Sequence, residues 1–153
     1  MNPEVNRNIL IAVDASENSR RAVQFVASML GDMKGFKATV LHVIREPEED
    51  EFPVQEEKEK WYYAHRQHVN RMLEKYRRML IGAGFTPEDV STRAMLRYCP
   101  SMAERILAEQ DLLKYATLVA GRKGLTHKEE FLFGSISGKI VRTARNCTVW
   151  VVQ

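Results

Sequence analysis

The chain has 153 residues, 44% of them hydrophobic, and its 23 basic and 20 acidic side chains leave a net charge of +3. That is enough chain for one domain, and a domain of this size buries roughly two-thirds of its unfolded surface without staples. The slight positive balance permits a phosphate ligand but lacks the concentrated basic face of a nucleic-acid binder. Two cysteines, Cys99 and Cys147, exclude a disulfide framework.

Residues 9–13 are β-formers closed by Asp14, which predicts a strand buried on both faces. Ser16 is placed to cap the helix that follows, and Ala22, Val23, Val26, Met29, Leu30 and Met33 repeat at helical spacing until Gly35 breaks the pattern. A second strand is predicted over 38–44 (ATVLHVI). Residues 46–59 are acidic and hold Pro47 and Pro53, so they read as a solvated loop running into a helix start. The long helix is predicted over 58–80, with Trp61, His65, His68, Met72, Tyr76 and Met79 on one stripe and Gly82 and Gly84 at its end. Val90–Leu96 reads as a third strand. Pro100 and Ser101 open a helix carrying Ala103, Ile106, Leu107 and Leu113. A fourth strand covers 117–120, a last helix over 135–144 presents Ile136, Ile140, Val141 and Ala144, and Thr148–Val152 (TVWVV) is a fifth strand.

Strands alternating with helices predict an α/β fold: a five-stranded parallel, doubly wound sheet with helices on both faces, Rossmann-like. The expected order is 3-2-1-4-5. Asp14 and Gly121 each sit just past a strand's carboxyl end; if strands one and four are neighbours at the switch point, as in that order, the two loops share one crevice.

Gly121, Gly124, Gly134 and Ser135 have the spacing G-x2-G-x9-G-S between the fourth strand and the last helix. Glycine lets a backbone approach a ligand closely, and a helix N-terminus offers unpaired N–H groups and the positive end of a dipole. Together these predict a phosphate cradle, hence a bound nucleotide. Competing motifs fail. Phe133 stands where a P-loop before Gly138-Lys139 needs glycine, and Ile140 replaces the magnesium-binding hydroxyl. The turn Asp14-Ala15-Ser16-Glu17 has no glycine, against a dinucleotide fingerprint.

With those residues in view, the chain resembles the universal stress protein family along nearly its whole length. NILIAVDASENSRRAV resembles the family's first strand, aspartate and helix, ATVLHVI its second strand, and VWVV its last. LVAGRKG, nine residues and GSISGKIV match the signature of its ATP-binding branch without a gap. The resemblance implies a single domain over 1–153 that binds ATP or AMP, with magnesium accompanying the nucleotide. It implies that Asp14 accepts hydrogen bonds from the ribose hydroxyls, that Ala12 and Val13 flank the base, and that Val43 pairs with the adenine edge through its backbone. Gly121 and Gly124 would wrap ribose and phosphates. Gly134, Ser135 and Ile136 would present N–H groups, with the Ser135 hydroxyl, and Arg122 and Lys123 would add charge. It also implies a homodimer built on the final strand.

Three departures stand out: Thr148 where the family usually has proline, Ala116-Thr117 where it often has aspartate, and Arg97-Tyr98-Cys99-Pro100 where it commonly has a glycine turn. The last bears on one wall of the base or ribose site.

Other residues have simpler readings. Asp14 has a second reading as a helix cap, a job for which Ser16 is better placed. His65 and His68 are three apart, but no ligand set completes a metal site, so packing or an interface is expected. His42 is expected in the core or at the pocket floor, and His127 in an exposed loop. Cys99 and Cys147 are expected to be inert. Trp61, Tyr62 and Tyr63 fit either a partner surface or a cover for the sheet. The expected function is a nucleotide-binding regulator of the stress response, acting through conformation and assembly, without enzymatic activity. The alternatives are a slow ATPase or phosphotransfer enzyme using Lys123 and His127, and a protein-interaction scaffold without nucleotide. The opening MNPEVNRN is not a signal peptide and no apolar run is membrane-sized, so a cytoplasmic protein is expected, with neither nucleic acid nor membrane as partner.

Overall fold

The computed structural model describes residues 5–45, 54–96, 101–122 and 136–153, over which strands and helices alternate. The elements are β1 (Asn8–Ala12), α1 (Glu17–Leu30), β2 (Lys37–Ile44), α2 (Gln55–Ala83), β3 (Val90–Leu96), α3 (Met102–Leu112), β4 (Thr117–Gly121), α4 (Ile136–Thr143) and β5 (Thr148–Val152). The strands form one sheet in the order β3-β2-β1-β4-β5, with every adjacent pair parallel. This is the doubly wound topology that the alternation predicts, and it seats β1 between β2 and β4.

The pleat divides the core in two. Ile9, Ile11 and Val13 point to the side covered by α1 and α2, whereas Leu10 and Ala12 point to the side covered by α3 and α4. A strand covered on both faces must be continuously apolar, which is why β1 reads NILIA. Ile9, Leu10 and Ile11 are at most 1% exposed, and full burial of each such side chain contributes roughly 1.5–3 kcal/mol.

The Ser16 hydroxyl accepts from the Ser19 N–H at 3.1 Å, so Ser16 caps α1 as expected. The helix ends at Leu30 rather than near Gly35, which lies beyond it with φ +91°. Its inward stripe is Ser19, Ala22, Val23, Val26, Ala27 and Leu30. Met29 and Met33, expected on that stripe, are exposed: Met29 falls outside the inward arc, and Met33 lies past the helix end.

Helix α2 extends three residues beyond the expected span at each end and closes at Gly84, whose φ of +128° suits glycine. Its buried residues are Val69, Leu73, Tyr76 and Leu80. The expected stripe is therefore rotated: Met72 and Met79 flank the core, Trp61 and His65 are half-buried, and His68 is exposed. Trp61 and His65 stack on each other, with centroids 4.9 Å apart and planes 7° from parallel. Burial, and then the charges of His42 and His68, hold the His65 pKa below its usual value.

On the opposite face Ser101 caps α3 by accepting from the Glu104 N–H at 3.1 Å. Glu109, 1% exposed, pairs with Arg93 of β3 at 2.9 Å and ties α3 to the edge strand. Leu113 and Val141, expected inward, are exposed, whereas Ile106 and Ile140 are buried. The acidic stretch 46–53, with Pro47 and Pro53, and the turn 97–100, with Cys99, lie outside the described residues. Among the described residues no helix is long and apolar enough to cross a membrane.

Candidate functional site

Because β1 is paired with both β2 and β4, three chain segments leave the sheet side by side at its carboxyl edge. Ala12 is in register with Leu41 and with Ala120, so Val13-Asp14, His42-Val43 and Gly121-Arg122 follow at the same level. Between them and the α3/α4 layer lies a cavity of about 130 Å³, several times the roughly 10–15 Å³ that one water needs. It lies where the strand connections diverge to opposite faces, the usual place for a ligand in such a sheet.

Of the residues expected at a site, Ala12, Val13, Asp14, Val43, Gly121, Arg122 and Ile136 all border this cavity. Lys123, Gly124, Gly134 and Ser135 lie outside the described residues, as does His127. His42 also borders the cavity, in line with the pocket-floor expectation, and its Nδ1 is 2.7 Å from the Val13 carbonyl oxygen. A carbonyl only accepts, so Nδ1 carries the proton.

Sequence reasoning missed Ser19, Ser137, Met102 and Ile106 as cavity residues. The two serines carried a legible signal. Ser19 stands on the same stripe as Ala22, Val23 and Val26, and Ser137 three residues before Ile140, so each is a hydroxyl on a helix's inward face. Met102 and Ile106 line the apolar wall one turn apart on α3.

Asp14 is held by its own turn and by two helices, α1 and α2. Its Oδ1 accepts from the Ser16 N–H at 2.8 Å and from the Ser19 hydroxyl at 2.9 Å, while its own N–H donates to Ser19 Oγ at 2.9 Å. Its carbonyl accepts from the Tyr76 hydroxyl at 2.7 Å. Among the described residues Oδ2 has no partner. Asp14 therefore shapes the turn with one oxygen, and Ser16 serves as the helix cap. Burial above all, and then the Asp14 charge, pushes the Tyr76 pKa up to about 12, so the phenol remains a donor at neutral pH.

The facing wall is tied down as firmly. The Arg122 N–H donates to the Val152 carbonyl at 2.7 Å, and the Ser137 hydroxyl donates to the Arg122 carbonyl at 2.9 Å. This fixes the first turn of α4 against the end of β4. The Arg122 side chain is exposed at the cavity rim, with no ion-pair partner among the described residues. Gly121 is needed for a close approach, since a Cβ there would lie 2.7 Å from the Asn18 carbonyl. The chamber thus has apolar walls, a carboxylate in its lining and a cation at its rim, a set of groups that suits a neutral ring, a hydroxylated sugar and an anionic group. Among the described residues no cluster of three His, Cys, Asp or Glu forms a metal site.

Comparison with known proteins agrees with this architecture. The model of the universal stress protein family matches residues 6–153. No curated protein matches the chain by sequence. Among solved structures, hypothetical protein MJ0577 is similar at 23% identity and TM-score 0.76, over 96% of this chain and 95% of that one. A universal stress protein in complex with cAMP is 19% identical with TM-score 0.71, over 98% of each chain. A universal stress protein family member from Arabidopsis thaliana with AMP bound is 19% identical with TM-score 0.63, over 95% of this chain and 90% of that one. At these identities the likeness establishes the shared fold.

Proposed function

We propose that this chain, which belongs to the universal stress protein family, binds an adenine nucleotide in the cavity between β1 and β4 and acts as a stress-response regulator. The observation that carries the reading is the Asp14 carboxylate bordering the cavity at the switch point, with Oδ1 engaged by Ser16 and Ser19 and Oδ2 without a partner among the described residues. The cAMP and AMP complexes of two structurally similar proteins support the same ligand class. In this reading Ala12, Val13 and Val43 border the base, Asp14 takes the ribose, and Arg122 with the start of α4 at Ile136 meets the phosphate. ATP with magnesium is the fuller ligand, and the nucleotide acts as a conformational ligand rather than a substrate. The readout is assembly: the outer edge of β5 pairs with that of a second copy.

Isothermal titration with AMP and with ATP plus magnesium tests the reading. Saturable binding at one site per chain is expected. Asp14→Ala should weaken it about tenfold or more, the size of losing hydrogen bonds to a charged acceptor. Binding that ignores Asp14→Ala in a folded protein would overturn the assignment. ATP turnover well above the uncatalysed rate would replace the regulatory reading with an enzymatic one.

A further inference from the structure

Ser19 makes an arrangement that the fold alone does not need. Its backbone N–H satisfies the helix cap by donating to Ser16 Oγ at 3.1 Å, so capping is independent of its side chain. The hydroxyl is instead spent entirely on Asp14. It accepts from the Asp14 N–H at 2.9 Å and donates to Asp14 Oδ1 at 2.9 Å, closing a ring that fixes backbone and carboxylate together. Ser19 is 5% exposed and borders the cavity, on a stripe otherwise made of Ala22, Val23 and Val26. A lone hydroxyl on such a stripe is costly unless both its lone pair and its proton are used, as they are here.

An aspartate carboxylate, on its single methylene, can present either oxygen, and one that rotates loses orientation entropy when it binds. With Ser16 N–H and Ser19 Oγ both on Oδ1, the carboxylate is held from two sides and its rotation is restricted before any ligand arrives. Resting on the nucleotide reading above, we propose that Ser19 is a positioning residue: it directs Asp14 Oδ2 at the sugar hydroxyls and so sets the preference for a ribonucleotide over an analogue lacking them. The Ser16 N–H alone would hold Oδ1 through a single bond, about which the carboxylate can swing.

The test compares AMP with its 2′,3′-dideoxy analogue by isothermal titration, in wild type, Ser19→Ala, Asp14→Ala and the double variant. Wild type should prefer AMP about tenfold or more, as expected for hydrogen bonds to a charged acceptor. Ser19→Ala should lose several-fold in AMP affinity and leave the dideoxy analogue within about twofold, so the ratio between the two collapses. In the Asp14→Ala background, removing the Ser19 hydroxyl should change nothing further. Ser19→Cys, which keeps the volume and replaces a strong donor with a weak one, serves if Ser19→Ala lowers Tm.

Equal losses for both ligands, or an undiminished Ser19 effect without the Asp14 carboxylate, would make Ser19 a packing residue and overturn the proposal while leaving the nucleotide site standing. Failure of the wild type to bind AMP would remove the nucleotide reading and this inference with it.

Discussion

A Cβ on Gly121 would meet the Asn18 carbonyl carbon and oxygen at 2.7 Å and the Asn18 Cβ at 3.1 Å. All three are parts of α1's first turn, which cannot yield without moving the Asp14 turn beside it. Gly121→Ala is therefore expected to destabilise the fold by about 1–3 kcal/mol, the usual cost of overpacking. A reduced urea midpoint with an unchanged m-value would show it, and an unaltered midpoint would contradict it. A glycine exchange here consequently confounds stability with binding. The motif identifies Gly121, but its reason for being glycine is a contact with a residue over a hundred positions away, which no local pattern records.

Tyr76 carries the pH prediction. Its folded pKa stands at about 12, against an ordinary value of 10.0, raised by burial first and by the Asp14 charge second. The protonated phenol is thus favoured in the fold. Its contribution is complete below pH about 10 and is lost as pH climbs toward 12. Unfolding free energy should fall across that window in wild type, and less steeply in Tyr76→Phe. An equal slope in the two proteins would contradict the assignment.

At the scale of elements, the sequence pattern reads strands better than helix faces. A doubly covered strand is apolar throughout, so β1, β2 and β4 announce themselves whichever way their side chains point. A helix must be read by phase, and in α2 the bulky Trp61, His65 and Met72 set a phase that the smaller Val69 and Leu73 correct. Size is a poor guide where a helix overhangs the sheet, because its protruding half owes nothing to the core.

Exposed apolar residues gather on α1 and β5. Phe25 and Met29 of α1 are 41% and 56% exposed, Phe25 meets Trp150 edge-on at 5.8 Å, and Val151 of β5 is 36% exposed. Among the described residues β5 bonds only to β4 in the sheet, leaving its outer edge with apolar neighbours. Such an edge is a template for a second strand, and a lysine on it blocks pairing. Sedimentation velocity should show a dimer for wild type at tens of micromolar and a folded monomer for Val151→Lys. A wild-type monomer at that concentration would rule out the assembly.

For the whole molecule, the alternation of strands and helices was enough to give the parallel sheet, and right-handed crossovers left few topologies, among them the observed order with β1 beside β4. That geometry alone brings residues 14, 43 and 121 together from distant parts of the sequence. The alternation does not say how the Asp14 turn is clamped, since Ser19, His42 and Tyr76 reach it from three different elements.

The central claim is that an adenine nucleotide occupies this junction. Titrating AMP into uniformly 15N-labelled protein and following the amide resonances tests it most directly. The account predicts saturable shifts concentrated at Ala12–Ser19, Val43, Gly121, Arg122, Ile136 and Ser137. Shifts centred instead on the outer surface of α2, or no saturable change at millimolar AMP, would contradict it.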